Sequence, residues 1–270
     1  MKTWEGQLNL IKVLIEENVE RILMKSICVF CSSSDSINEI YFKAAIDLGC
    51  QIGDLNLDLV YGGGGIGLMG AVARSVHKNG GRVVGVFPEF FREKDEDFEY
   101  VEADELIIAE TMRIRKAIMD ERSDAFIALP GGIGTLEEAI EIMSMKQLGL
   151  TDKPLVFVNT NNFYDGLISN LRKMVSLKFV KSSTLELFAV CPDPSSAIEF
   201  ILSYQPKKID NEWIWKEIGK FYQGLFILPY KFFNVIFWKS ETIEVLFFCV
   251  FQFVTCSTSL LLGYDCEIAM

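Results

Sequence analysis

The stretch LDLVYGGGGIGLMGAVARSVHKNGGRVVGVF, residues 57–87, decides the fold. An apolar run ends in four glycines. A helical pattern follows, a Gly-Gly pair stops it, and a second apolar run begins. This is a strand, a glycine turn, a helix and another strand, the unit from which parallel sheets are built. The same rhythm extends in both directions. Residues 26–31, 57–63, 82–87, 124–129 and 154–159 read as strands, with a weaker one at 185–190. Residues 37–54, 67–81, 111–122, 135–149, 163–175 and 194–204 read as helices. Short, almost wholly apolar strands separated by helices predict an α/β fold, a Rossmann-like parallel sheet with helices on both faces. A ligand then belongs beyond the carboxyl ends of the strands. There is no internal repeat.

Bulk properties narrow the function. With 270 residues, half of them apolar, the chain can build a substantial core. Its net charge of −11, with no basic stripe, argues against nucleic acid as a partner. The seven irregularly spaced cysteines predict no disulfide framework and suit a reducing cytoplasm. Residues 1–24 lack a secretory pattern and read as an amphipathic helical extension. The strand–helix rhythm marks one domain over 25–205. Residues 206–270 are aromatic-rich and break the rhythm, forming an atypical apolar C-terminal extension. Within them Val245–Tyr264 carries no charge over 20 residues, long enough to span a membrane. Its polar residues and acidic flanks make membrane association the less favoured outcome.

Two glycine loops carry the chemistry. The first, YGGGGIGLMG (61–70), matches G-x-G-x-x-G in two registers, with Glu89 as a ribose-binding acid on a nicotinamide reading. The second is PGGIGT (130–135). Neither is a Walker loop. As a pair at strand ends in one sheet they suggest a monophosphate gripped by backbone amides. Thr135-Leu136-Glu137-Glu138 fits a capping box with Thr135 as N-cap. With Leu136, Ile140 and Met143 as the buried stripe, Glu138 and Glu141 would lie side by side near the phosphate loop, placed to stabilise a cationic transition state or activate water. Arg113, Arg115 and Lys116 on the preceding helix supply cations, either as an exposed face or as a fork on a phosphorylated ligand.

Other chemistry falls away. His77, the only histidine, cannot form a multi-histidine metal site, and it reads as a favourable charge near a helix C-terminus. Cys28 and Cys31 read as buried strand thiols rather than a redox pair.

The segments ICVFCSSSD, DLVYGGGGIGLMGAVARSVHKNGGRVVGVFP, MRIRKAIMDERSDAFIALPGGIGTLEEAIEIMSMKQLG and DKPLVFVN together resemble the LOG (Lonely Guy) family over about residues 25–205. These enzymes are cytokinin riboside 5′-monophosphate phosphoribohydrolases, often labelled lysine decarboxylases. Nothing in this sequence suggests a pyridoxal-phosphate site, and neither a cofactor nor a metal is expected. The resemblance implies a Rossmann-like homodimer that hydrolyses the N-glycosidic bond of a nucleoside 5′-monophosphate. It assigns catalysis to Arg115 and Glu138, with Lys116 beside the ligand. Gly131, Gly132, Gly134 and Thr135 would hold the phosphate. Ile133, Leu136, Glu137 and Glu141 complete that stretch. Gly63, Gly64 and Gly67 form the other loop, and Ser144 sits near the substrate. The departures are Ser32, where the family usually has glycine, and an acidic segment after Pro88. A non-catalytic nucleotide carrier and a nicotinamide-dependent enzyme are the alternatives.

Overall fold

The computed structural model describes residues 24–92 and 98–206. The chain divides into two units, Met1–Asn211 and Glu212–Met270, and every described residue falls in the first. The expected N-terminal extension and C-terminal tail, including 245–264, lie outside the described residues apart from Met24 and Pro206.

The chain order is β1 (Ser26–Phe30), α1 (Glu39–Asp54), β2 (Asp58–Tyr61), α2 (Gly67–Lys78), β3 (Val83–Pro88) and the short α3 (Glu89–Arg92). It continues with β4 (Glu105–Ala109), α4 (Met112–Glu121), β5 (Ala125–Ala128), α5 (Ile133–Leu148), β6 (Leu155–Val158), α6 (Asp165–Ser176), β7 (Ala189–Cys191) and α7 (Pro194–Leu202). The seven strands form one sheet in the order β4-β3-β2-β1-β5-β6-β7. Every pair is parallel. The order reverses between β1 and β5, which opens a crevice at their carboxyl ends.

Side-chain alternation divides the core. Ile27, Val29, Leu59, Tyr61, Ile127 and Val156 face α1, α2 and α7, where they meet Leu48, Ile52, Val72, Val76 and Ile198. Cys28, Phe30, Val60, Val86, Phe126 and Phe157 face the other way, onto Met119 of α4 and Ala139, Ile142 and Met143 of α5. Each fully buried aliphatic side chain contributes about 1.5–3 kcal/mol, so this double-sided burial makes continuous apolar strands necessary.

Local signals set the helix ends. Asn38 accepts from the Ile40 amide, Thr111 from Ile114 and Asp193 from Ser196. At the far end of α5, Gly149 adopts φ 73°, a left-handed conformation that glycine takes without strain. Among the described residues no helix is long and apolar enough to cross a membrane.

Three sequence expectations change. Glu105–Ala109, which starts at the end of the acidic segment 89–106 and has no place among the expected strands, is the edge strand β4. Only Ala109 in it is buried, and Glu105 pairs with Arg82 and Arg122, which is why no apolar run announced it. Helix α5 begins at Ile133, one half-turn before Thr135. Its buried face is Thr135, Ala139, Ile142, Met143 and Lys146, whereas Ile140 is 44% exposed. The stripe is therefore rotated from Leu136–Ile140–Met143, and Glu138 lies at the edge of the buried face.

Candidate active site

Helices α4 and α5 pack on the same side of the sheet and place their charged residues against each other. Arg115 is 6% exposed. Its Nε donates to the Val86 carbonyl at 2.8 Å, and its Nη1 donates to Glu138 Oε1 at 2.7 Å. One donor thus ties the guanidinium to β3 while another holds the carboxylate. Both side chains are nearly buried, at 8% and 12% exposure. Burial pushes the Glu138 carboxyl above the ordinary glutamate value, and Arg115 opposes that rise. Removing one member of such a pair would cost about 3–5 kcal/mol, because the other is left as an uncompensated charge.

Lys116, the next residue, bridges two further acids. Its Nζ pairs with Glu137 and, at 2.8 Å, with Glu141. Burial works to lower the Lys116 ammonium, but the two carboxylates outweigh it and hold its pKa above the lysine value. Arg115 and Lys116, read from the sequence as cations for a phosphorylated ligand or as an exposed face, instead pair with Glu137, Glu138 and Glu141, while Arg113 stays exposed on α4. Ser144 bonds its own helix, donating to the Ile140 carbonyl at 2.9 Å.

The expected capping box does not form. The N-cap of α5 is Gly132, which offers no side-chain hydrogen bond, and Thr135 is buried inside the first turn. Glu138 turns to Arg115 instead of back to an amide. The Leu136 amide reaches the Gly132 carbonyl at 3.1 Å, whereas the amides of Ile133, Gly134 and Thr135 have no protein acceptor among the described residues. Three free N–H groups at the start of a 16-residue helix are the kind of donors an anion can use. Gly131 is required by packing, since a methyl group there would collide with the Thr135 side chain.

The first glycine loop works differently. The Gly67 amide donates to Asp35 Oδ1 at 2.9 Å, and the Leu68 amide donates to the Ser32 carbonyl at 2.9 Å. The leading amides of α2 are therefore already satisfied by the loop after β1. Ser32, the departure from the usual glycine, accepts from the Ser34 amide through its hydroxyl at 3.1 Å and shapes that loop. Gly67 has φ 56°, and a Cβ there would strike the Ser33 backbone. Gly62 clears room for the Arg115 guanidinium, and Gly63 and Gly64 clear room for Phe87, Met69 and Phe98. The glycines of 62–67 let side chains and backbone approach one another, and the unbonded leading amides are those of the loop at 130–135. A pyrophosphate at the α2 terminus would have to displace a carboxylate, and Glu89 lies exposed at the start of α3. Both facts count against the nicotinamide reading.

His77 is more than a terminal charge. Its Nδ1 meets Tyr100 Oη at 2.9 Å and its Nε2 meets Asp104 Oδ2 at 2.8 Å. The Asp104 carboxylate also accepts from the Val83 amide at 2.7 Å, and this bond, with His77, holds its pKa below the usual value. Cys28 is buried and Cys31 half-buried, both as free thiols. Among the described residues no cluster of three or more histidine, cysteine or acidic side chains is arranged to hold a metal.

A family model described as "Possible lysine decarboxylase" matches residues 69–201. A rice (Oryza sativa subsp. japonica) protein named as a probable cytokinin riboside 5′-monophosphate phosphoribohydrolase is 41% identical over 194 residues, covering 71% of this chain and 79% of its own. A cytokinin riboside 5′-monophosphate phosphoribohydrolase of Arabidopsis thaliana is 38% identical over 203 residues, covering 74% and 93%. Among solved structures, the molybdenum cofactor binding protein of Rippkaea orientalis superposes with a TM-score of 0.52 at 22% identity, covering 67% of this chain and 98% of its own. That last likeness shows the fold alone. On the strength of the sequence relatives, matched over most of their own length, this chain belongs to the LOG family, the cytokinin riboside 5′-monophosphate phosphoribohydrolases.

Proposed function

We propose that the chain hydrolyses the N-glycosidic bond of a cytokinin nucleoside 5′-monophosphate, releasing the free base and ribose 5-phosphate. The observation that carries this reading is the buried Arg115–Glu138 pair, at 2.7 Å, on helices that also bring the three free amides of α5 to the same strand ends. The 5′-phosphate sits on the amides of Ile133, Gly134 and Thr135. Lys116 adds a positive charge behind it, already partly neutralised by Glu137 and Glu141.

Cleavage of a ribosyl C–N bond develops oxocarbenium character at the sugar. A carboxylate fixed beside that centre stabilises the charge without reorganising at the moment of reaction. Arg115 fixes Glu138, and its anchor on the Val86 carbonyl makes the geometry rigid. Water adds at C1′, its proton passes to solvent or to Glu138, and the base leaves with a proton. Phosphate held away from the reacting bond supplies binding energy that can lower the barrier.

We read the active form as a cytoplasmic homodimer. The free thiols at Cys28, Cys31, Cys50 and Cys191 agree with a reducing compartment. Sedimentation of the purified protein tests the assembly. The activity is tested by incubating the protein with isopentenyladenosine 5′-monophosphate and resolving free base and ribose 5-phosphate by chromatography. Tight binding without either product would leave a carrier instead of an enzyme.

A further inference from the structure

His77 is the only histidine in the chain, and the chemistry above leaves it idle. It stands near the end of α2, with its ring centroid 5.6 Å from that of Tyr100. Three short contacts run in a line through it. Nε2 lies 2.8 Å from Asp104 Oδ2, Nδ1 lies 2.9 Å from Tyr100 Oη, and Tyr100 Oη donates to Glu102 Oε2 at 3.1 Å.

Counting protons decides the form of the ring. Tyr100 has one hydroxyl proton, and Glu102 takes it. Burial, and then the Glu102 carboxylate, push the Tyr100 phenol up to about 12, so that proton stays in place at neutral pH. Nδ1 must therefore donate to Tyr100 Oη. Asp104 Oδ2 also accepts from the Val83 amide at 2.7 Å, and that bond, with His77, holds its carboxyl below the usual value. Asp104 thus has no proton to offer, and Nε2 must donate as well. Two donating nitrogens describe an imidazolium. A neutral ring keeps Asp104 only by taking the Tyr100 proton away from Glu102, which breaks one contact of the three. The other ionisable groups around this line are Arg74 on the same helix, Arg82 before β3, and Tyr61 on β2, whose phenol burial pushes up.

The line reaches the first glycine loop. The Tyr100 amide donates to the Gly63 carbonyl at 2.9 Å, and the Gly65 amide donates to the Phe98 carbonyl at 2.8 Å. Between them Gly64 and Glu99 form an antiparallel bridge. Residues 98–104 are therefore a strap across that loop, tied to α2 through His77. Arg74 adds a second tie from α2, donating to the Gly65 carbonyl at 2.8 Å. The same loop begins at Gly62, whose missing side chain leaves room for the Arg115 guanidinium.

We propose that His77 is a positioning residue that works as an imidazolium, pinning the strap at 98–104 and through it holding the first glycine loop against Arg115. Loss of one proton frees Glu102, weakens the charge-assisted bond to Asp104 and loosens the strap. The effect on turnover rests on the nucleotide reading above, whereas the pin does not.

With a single histidine, isotope-labelled histidine in the full-length protein gives one imidazole to follow by nitrogen NMR. Its protonation is recorded from about pH 5 to about pH 9, beside the hydrogen-exchange protection of the Gly65 and Tyr100 amides. Protection should fall about 10-fold as the ring loses its second proton. The Ile168 amide, bonded to the Tyr164 carbonyl on another helix, serves as the control that should not respond. In Tyr100→Phe, which keeps the ring and removes the hydroxyl, His77 should still titrate while protection no longer follows it. The kcat/KM of the unaltered protein on isopentenyladenosine 5′-monophosphate should decline on the alkaline side in step with the imidazole, and His77→Gln should lack that decline. Protection that stays level through the imidazole titration overturns the proposal. So does a Tyr100→Phe protein whose protection tracks the ring as before, or an alkaline decline that persists unchanged in His77→Gln. Should the protein hydrolyse no nucleotide, the enzymatic reading fails, and amide protection alone upholds or overturns the pin.

Discussion

Replacing Gly62 by alanine tests the site from a residue that touches no substrate. A methyl group at this position collides with Arg115 Nη2 and approaches Met69 Sδ to 3.2 Å. The strand end is fixed, so the guanidinium must yield by on the order of 1 Å, a displacement that can cost about 10²-fold in rate. That shift carries Nη1 out of hydrogen-bond range of Glu138, which it now holds at 2.7 Å. Glu138 then loses its orientation, and kcat should fall about 10²-fold, equivalent to about 2.7 kcal/mol of barrier. Steady-state kinetics and thermal melting are read together. Because Gly62 and Glu138 act through the same pair, the Gly62→Ala/Glu138→Gln double variant should be little worse than Glu138→Gln alone. A Gly62→Ala protein with normal kcat refutes the reasoning, and so does full additivity in the double variant.

Three further outcomes are expected. The Glu138 carboxyl is pushed above its ordinary value by burial, and the reaction needs it ionised, so the acid limb of kcat/KM should lie at higher pH than for a free glutamate and vanish in Glu138→Gln; an acid limb unchanged by that substitution contradicts the assignment. Lys146 is 2% exposed, donates to the Asp152 and Lys153 carbonyls and to Tyr204 Oη, and is lowered by burial from 10.5 to about 8. From pH 8 to 10.5 the unfolded chain keeps a proton that the folded chain has released, so stability rises with pH across that window by up to about 3 kcal/mol; urea midpoints of the unaltered protein should show the rise and those of Lys146→Met should lack it. Asp35→Ala frees the Gly67 amide and should cost about 1 kcal/mol of stability with little effect on KM, whereas a large rise in KM would return the first glycine loop to the phosphate.

The sheet was legible because β1, β3 and β5 are buried along their whole length and so read as unbroken apolar runs. β4 was not, since an edge strand with one buried residue looks like any acidic loop. The charged residues of α4 and α5 stood out as a group, and which of them pair did not. A capping box and an ion pair to a distant helix use the same Glu138, and only the packing of α4 on α5 chooses between them. The two glycine loops looked equivalent on paper. They differ because Asp35, some thirty residues upstream, takes the Gly67 amide, and no local pattern records that contact. Lys146 and the partners of His77 went unseen for a related reason. A lysine at a helical core position reads as exposed, and a lone histidine near a helix end gains its partners only where Tyr100 and Asp104 fold against it.

The central claim is that phosphate anchored on α5 and charge stabilised by Glu138 together break a ribosyl bond. The most direct measurement is free-base release from isopentenyladenosine 5′-monophosphate and from the matching nucleoside, by the unaltered protein and by Glu138→Gln. The account predicts release from the nucleotide, little from the nucleoside, and a loss of about 10²-fold or more in a folded Glu138→Gln protein. Equal rates on nucleotide and nucleoside, or a near-normal rate without the Glu138 carboxylate, would contradict it.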